Sequence, residues 1–542
     1  MKQLFNRRVV AVALLILLST LAIASWAKSR SNNDVLVDLE TFTKVIEKVQ
    51  SYYVDEVDTH EIITKAIESL LKDLDPHSQF LTGLDYEDLM LSTQGQFGGL
   101  GIFISFRDNY PTVISPIEGT PADRAGLQGG DRIVEIEGEP SEGWHVTKAV
   151  RFLRGEPGTT VRFKVSRPGG DEPIEYSLVR EEIKVKSVSY QGMFDDIGYV
   201  KLSSFSKNTR RELVDALEEL EAAPMKGLVL DLRSNPGGLL QAATGVSELF
   251  LEKDRLVVYT KGRYSRNNHK YYSGKSHKHH GYPIIVMVNG ASASASEIVA
   301  GALQDWDAGF LVGQTTFGKG TVQTVFSLSD SQAVKLTTAK YYTPSGRSIH
   351  KDHRKVDSDN VTAVVEGSNS ESEDVVAITQ TDGSEVEDIR IFHTSGGRKV
   401  FGGGGIKPDL EFEPQEYGDL ERGLERDALF FTFAIRYSMT HEPDENFEVT
   451  DEILAQFKTL LKEREFEFTE EDFSGTSLDY VKKAIKRELA SKDFGRKAMY
   501  RVVLENDPEF QRVLELFEEA PTLQAMFDYV EEQRGLKKAS LD

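Results

Sequence analysis

The apolar positions change rhythm several times along the chain. Between Val35 and Leu81 they recur every three or four residues, first as Leu36, Leu39, Phe42, Val45, Ile46 and Val49, then as Ile62, Ile63, Ala66, Ile67, Leu70 and Leu71. This spacing predicts amphipathic helices, the last closed by Asp75-Pro76 because proline restricts the residue before it. From 96 to 168 the rhythm shortens to β-rich runs between glycines. Phe97–Phe106 predicts one strand, Thr112–Ile117 a second, and Gly119–Leu127 a short helix with Thr120 as N-cap and Pro121 at its first position. A strand and tight turn follow at 131–139, an amphipathic helix at 144–153 and a strand at 160–167. Residues 197–345 alternate apolar strands (197–205, 226–234, 282–290, 309–314) with helical segments (209–222, 238–251 and the stretch after 291). They end in a hairpin that turns at Ser329-Asp330. Strands apolar on both faces with interleaved helices predict an α/β core covered on both sides. Residues 351–390 are acidic and serine-rich and predict an exposed insertion, with 361–366 and 375–380 as strand-capable pieces. Gly402–Glu413 predicts a glycine loop leading into a last core strand, and from Tyr417 onward the pattern is helical and highly charged.

Length and charge narrow this picture. At ~150 residues per domain, 542 residues predict three or four units. A formal net charge of -23 disfavours a general nucleic-acid binder, because the phosphate backbone would repel it. The absence of cysteine removes disulfides, cysteine nucleophiles and thiolate-bound zinc. Lys2, Arg7 and Arg8 precede an uncharged run from Val9 to Ala27, the layout of an export signal. The run approaches the ~20 residues that span a bilayer, so a retained anchor is the other reading. Either puts the remainder outside the cytoplasm.

Three segments carry candidate chemistry. In Ala291–Leu303 a strand-to-helix turn places Ser292, Ser294 and Ser296 beside helix N–H groups that can hold an oxyanion. Taken alone, these serines read as caps and small packing residues. In Thr315–Gln323, Lys319 lies between Gly318 and Gly320. A lysine can serve as the base for a serine if burial disfavours its ammonium form, although alone it reads as a hairpin surface charge. In Asp231–Gly238, Gly237 and Gly238 can present backbone N–H groups to an oxyanion or a substrate strand, and Asp231 and Arg233 tie the loop together. A fourth segment, Gly98–Ile102, can point N–H groups at a chain-terminal carboxylate, and the strand after it can accept a peptide as an added strand. A basic run from Gly262 to His280 holds His277, His279 and His280. With no second cluster of ligands at suitable spacing, it reads as a solvated loop and not a metal site.

In order, the pieces LDPHSQFL (74–81), FGGLGI, GTPADRAGLQGGDRI, DLRSNPGG, SASASEI, FGKGTVQ, YYTPSGRSI and GIKPD resemble the C-terminal processing peptidases, or tail-specific proteases, over roughly residues 40–415. The resemblance implies a multidomain α/β fold: a crotonase-like α/β protease core with an inserted PDZ domain. The expected layout is a signal or anchor with linker (1–33), an N-terminal helical region (34–95), the PDZ domain (96–170), the protease core with its acidic insertion (171–415) and a C-terminal helical domain (416–542). It implies Ser294 as nucleophile, Lys319 as general base 25 residues later and Gln323 as a residue orienting that lysine. It places the oxyanion hole at the Ala295 N–H and a glycine of the NPGG loop, Gly237 by preference over Gly238. Gly99, Leu100, Gly101, Ile102, Val146 and Val150 are the implied peptide-binding residues, and Arg154 the implied link from PDZ domain to core.

The expected function is a serine endopeptidase without cofactor, periplasmic or anchored to the inner membrane. Its partners would be proteins with accessible C-terminal tails, with self-association through the C-terminal helices as a further expectation. A non-catalytic PDZ adaptor or chaperone is the alternative, weakened because serine and lysine both stand at the matched positions. Acyl-thioester chemistry on a crotonase-like core is a third reading, disfavoured by the PDZ segment and the export signal.

Overall fold

The computed structural model describes residues 35–274, 279, 281–329, 331–351, 374–377 and 388–539. The expected export signal, His277, His280 and most of the acidic insertion lie outside them. Among the described residues, no helix is long and apolar enough to cross a membrane. The chain divides into two compact units. The smaller comprises the chain up to Leu81 with Val325–Leu336, the larger Thr82–Thr324 with Thr337 onward.

In the smaller unit, residues 35–52 and Thr59–Lys72 are helical. Asp58 caps the second helix by accepting from the His60 N–H at 2.8 Å. Asp75 then receives the N–H groups of His77 and Ser78 at 2.8 and 2.9 Å, so the Asp-Pro turn is held by its own aspartate.

The larger unit is built on a six-stranded sheet. Its order is Val188–Phe194, Ile197–Leu202, Gly227–Asp231, Ile284–Val288, Phe310–Gly313 and Leu410–Glu411. The first two strands form an antiparallel hairpin and all later neighbours are parallel. Every residue of the three central strands is buried, which explains their unbroken apolar runs. Alternate side chains serve two cores. Val200, Leu228, Leu230, Val286 and Val288 face helices Thr209–Leu220, Leu240–Ser247 and Ala295–Asp305. Tyr199, Val229, Ile285, Met287 and Val312 face C-terminal helices Pro508–Glu519 and Leu523–Ala539. The C-terminal region therefore supplies the second cover of this sheet.

A separate antiparallel sheet runs Ile102–Arg107, Tyr110–Pro116, Arg132–Ile136, Thr160–Ser166, Ile174–Val179 and encloses Val113, Ile133, Ile136, Val161 and Phe163. Two expectations change here. The single strand expected over 97–106 is two, because Leu100 and Gly101 break it. Gln96–Gly99 pairs with Glu181–Lys184, and Ile102–Arg107 is left at the sheet edge. The sheet also extends past the expected limit at 170, since Ile174–Val179 pairs with Thr160–Ser166. The basic run after Gly262 contains a strand, Lys270–Tyr272, paired with Leu256–Gly262, and is not simply a loop. Within the insertion, Asp374–Ala377 pairs with Asp388–His393, near the piece expected to form strand.

Candidate active site

The three serines of the 291–296 segment have different fates. The Ser292 hydroxyl donates to the Leu232 carbonyl at 2.8 Å, and that of Ser296 donates to the Asn235 carbonyl at 2.9 Å. Both residues are fully buried. Ser294 is half-buried and begins helix Ala295–Asp305 with φ 55° and ψ −111°. A non-glycine residue held there costs about 1–3 kcal/mol, a strain characteristic of exposed nucleophile turns. Geometry alone thus separates Ser294 from its neighbours.

The segment carrying Lys319 runs alongside. Phe317 N–H donates to the Ser292 carbonyl at 3.0 Å. The main tie is Glu297, which is wholly buried. One of its oxygens accepts from the Ser294 N–H at 2.7 Å and the Lys319 N–H at 2.9 Å. The other accepts from the Thr316 hydroxyl at 2.6 Å and the Gly318 N–H at 2.8 Å. Burial pushes the Glu297 carboxyl up, against the pull of these four donors. Tyr341, also buried, sends its hydroxyl to the carbonyls of both Ser294 and Lys319. Lys319 itself is half-buried. Gly320 has no room for a side chain, since a Cβ would lie 2.6 Å from the His350 nitrogen. Gln323 donates from its amide to the Thr321 hydroxyl at 2.9 Å and to that of Thr337 at 3.5 Å.

The glycine loop closes the third side. A Cβ on Gly237 would stand 2.8 Å from the Ala295 nitrogen and 2.8 Å from Ser294 Cβ, so the loop touches the serine turn only because Gly237 lacks one. The Gly237 N–H donates to Asn235 Oδ1 at 2.9 Å. Among the described residues, the N–H groups of Gly238 and Ala295 donate to no backbone carbonyl outside the helices and strands. Asn235 is the buried staple: its amide donates to the Leu202 carbonyl at 2.9 Å and its own carbonyl accepts from Ala293 N–H at 3.0 Å. Upstream, Asp231 is fully buried and accepts from Tyr199 at 2.6 Å, Lys201 at 2.9 Å and Arg233 at 2.8 Å. Burial alone would raise its carboxyl. The Arg233 and Lys201 cations more than offset that and hold it far below the usual carboxylate range.

In the smaller sheet, the exposed edge of Ile102–Arg107 runs beside helix Val146–Leu153, with Val146 and Val150 one turn apart and half-buried. Gly99, Leu100, Gly101 and the start of this strand form the turn at the groove's end, with Leu100 buried. Arg154 ion-pairs with Asp88 on helix Leu84–Gln94 and lies over the Phe97 ring at 5.0 Å. His279 is bonded to Glu221 at 2.9 Å.

Comparison with known proteins decides the family. Residues 196–362 match the model for peptidase family S41, 112–167 that for a PDZ domain, and 420–474 that for a probable PDZ-protease C-terminal helical domain. A carboxy-terminal-processing protease of Bartonella bacilliformis is 40% identical over 335 residues, covering 61% of this chain and 77% of the relative. The chain belongs to the carboxy-terminal processing proteases. It is a serine-type peptidase with a PDZ domain in a mixed helix and sheet, multidomain fold. Processing protease CtpA of Bacillus subtilis is 34% identical, covering 63% of this chain and 73% of its own length. The solved photosystem II D1 C-terminal processing protease aligns at 29% identity with a TM-score of 0.33, over 57% of this chain and 89% of that one.

Reasoning from sequence overlooked Glu297, Tyr341 and Asn235. Glu297 had a visible cue, since Ser294-Ala295-Ser296-Glu297 is a capping-box pattern. Tyr341 and Asn235 act through long-range contacts that no local pattern marks.

Proposed function

We propose that this processing protease is an endopeptidase whose nucleophile is Ser294 and whose general base is Lys319. The observation that carries the reading is Glu297, which holds the backbone of both residues through a single carboxylate oxygen. In the reaction, the amine form of Lys319 takes the hydroxyl proton as Ser294 Oγ attacks the scissile carbonyl. The tetrahedral oxyanion is received by the Ala295 N–H and a loop glycine. Gly238 suits that role better than Gly237, whose N–H is already engaged by Asn235. Collapse breaks the C–N bond and the lysine ammonium protonates the leaving amine. Water then attacks the acyl ester, with the same lysine taking and returning a proton. Gln323 orients the lysine from the adjoining strand.

Substrate tails would dock with their carboxylate at Gly99–Ile102 and add a strand along Ile102–Arg107, with Val146 and Val150 as the opposite wall. Arg154 would couple this groove to the core. The last turn of its partner helix contains Thr93, whose carbonyl accepts from Lys207 N–H at 3.2 Å, and the nearby Phe205 N–H donates to the Gly237 carbonyl at 3.0 Å. The parallel sheet with its crossover helices supports a crotonase-like core. The basic and then uncharged N-terminus supports action on exported, periplasmic proteins.

Cleavage of an unfolded protein with an apolar C-terminus tests the assignment. Ser294→Ala and Lys319→Ala should each lower the rate by roughly a thousandfold or more with the fold retained. Cleavage by the Ser294→Ala chain at the wild-type rate removes it.

A further inference from the structure

The last of the three family matches stops at residue 474, yet a later helix reaches the loops of the candidate site. Helix Pro508–Glu519 starts at Asp507, whose Oδ1 accepts from the N–H groups of Glu509 and Phe510 at 3.0 and 3.3 Å. The other Asp507 oxygen meets Arg233 Nη2 at 2.7 Å, and Glu509 Oε2 meets Arg233 Nη1 at 2.9 Å. The remaining Glu509 oxygen accepts from Gln314 Nε2 at 3.3 Å. Arg233 opens the loop that carries Gly237 and Gly238, while Gln314 opens the loop that carries Lys319. One helix terminus therefore grips both.

Burial makes this grip firm. The side chains of Arg233, Asp507 and Glu509 are only 15, 14 and 19% exposed. A cation so far removed from water is strongly disfavoured without its anions. The inner face of the Arg233 guanidinium is satisfied by Asp231, so Asp507 and Glu509 answer its outer face. The helix is fixed from the sheet side by Phe510, whose ring meets those of Tyr199 and Phe194 edge-on at 5.1 and 4.8 Å.

We infer that Asp507 and Glu509 are positioning residues for proteolysis, setting the oxyanion loop through Arg233 and the lysine loop through Gln314. The inference rests on the roles given above to Ser294 and Lys319. It makes the C-terminal helix part of the active-site scaffold as well as a cover for the sheet.

The test uses the full chain with Asp507→Asn and Glu509→Gln together. Asparagine keeps the capping acceptor, so the change removes charge and spares the helix start. Steady-state cleavage, binding of a peptide boronate and thermal unfolding are measured beside wild type, Ser294→Ala and Arg512→Ala. The last breaks an exposed ion pair with Glu519 on the same helix. The expected result is a kcat lowered roughly ten- to a hundredfold, since small displacements of catalytic groups are costly. KM should stay within about twofold, the pattern of an interaction made only in the transition state. Boronate affinity should fall by the same factor as kcat/KM, because the tetrahedral adduct uses the same donors. Arg512→Ala should retain the wild-type kcat. An unchanged kcat in the double variant overturns the inference. So does a parallel fall of kcat and melting temperature in both the double variant and Arg512→Ala, which would mean bundle stability alone. If the double variant does not fold, Glu509→Gln decides by the same criteria. Full cleavage by Ser294→Ala would overturn the serine assignment itself, and this inference with it.

Discussion

The C-terminal helices hold the rest of the larger unit at two places, with the same arginine–carboxylate chemistry in opposite settings. On the sheet side, Arg233 meets Asp507 and Glu509 within a largely buried network. On the PDZ side, Arg464 pairs with Asp108 at 3.1 Å, and Arg132 shares that aspartate. Asp108, Arg132 and Arg464 are each 39–40% exposed. Ile435 supplies apolar contact there, resting on Gly129 and Gly130. The surrounding cavity of about 390 Å³ is lined by Arg107, Asp108, Arg132, Ile435 and Arg464. Water decides between the two contacts. Charges that have lost hydration are held to one geometry, whereas exposed pairs are screened and contribute little. The structure fixes the loops of the candidate site tightly and the PDZ sheet lightly.

The comparison can be broken in order of expected effect. The largest lies at Glu297 on the sheet side. Glu297→Gln sets an amide NH2 against N–H donors and should lower kcat by roughly a hundredfold, as misplaced catalytic groups do. Because burial raises the Glu297 carboxyl, wild type should show an acid-side loss of kcat that Glu297→Gln lacks, at a pH above that of an ordinary glutamate. The stability effect has the opposite sense from that of a salt-bridged acid. The folded chain binds this proton more tightly than the unfolded one, so wild type should lose stability relative to Glu297→Gln as pH rises through the raised value. Initial rates and melting curves over a pH series check both directions.

Arg233→Met comes next. It strips Asp231 of a partner and should cost about 3–5 kcal/mol in urea unfolding. Ile435→Ala should cost about 2–4 kcal/mol, read from amide exchange in helix Leu429–Tyr437. Asp108→Asn should cost no more than about 1 kcal/mol in the same assay, and the difference should vanish in high salt. If Asp108→Asn outweighed Arg233→Met, the contrast between the two sides would be wrong.

Much of this was legible locally. The apolar runs at 227–230 and 284–288 lie in central parallel strands, and Pro121 starts a helix as its position predicts. The three family motifs around Gly237, Ser294 and Lys319 fold into adjacent loops because each follows or adjoins a strand end. Contacts between distant segments were not legible. Arg233 and Glu509 are 276 residues apart, and nothing in the charged C-terminal pattern marks Glu509 among its many acidic neighbours. The break at Leu100-Gly101 was hidden because glycines within a β-rich run fit a bulge, a turn or a continuous strand. Glu297 was hidden for another reason: its spacing also fits an ordinary cap, and only the full burial of its carboxylate among four donors shows more.

The left-handed φ of Ser294 has an evolutionary consequence. A glycine there would release the backbone strain, so under the proposed assignment Ser294→Gly should be inactive and more stable than wild type. A threonine, branched at Cβ, would meet the same dihedral with added crowding. The position therefore has few neighbours in mutational space that keep a hydroxyl, and the substitution that relieves the backbone is one that loses it.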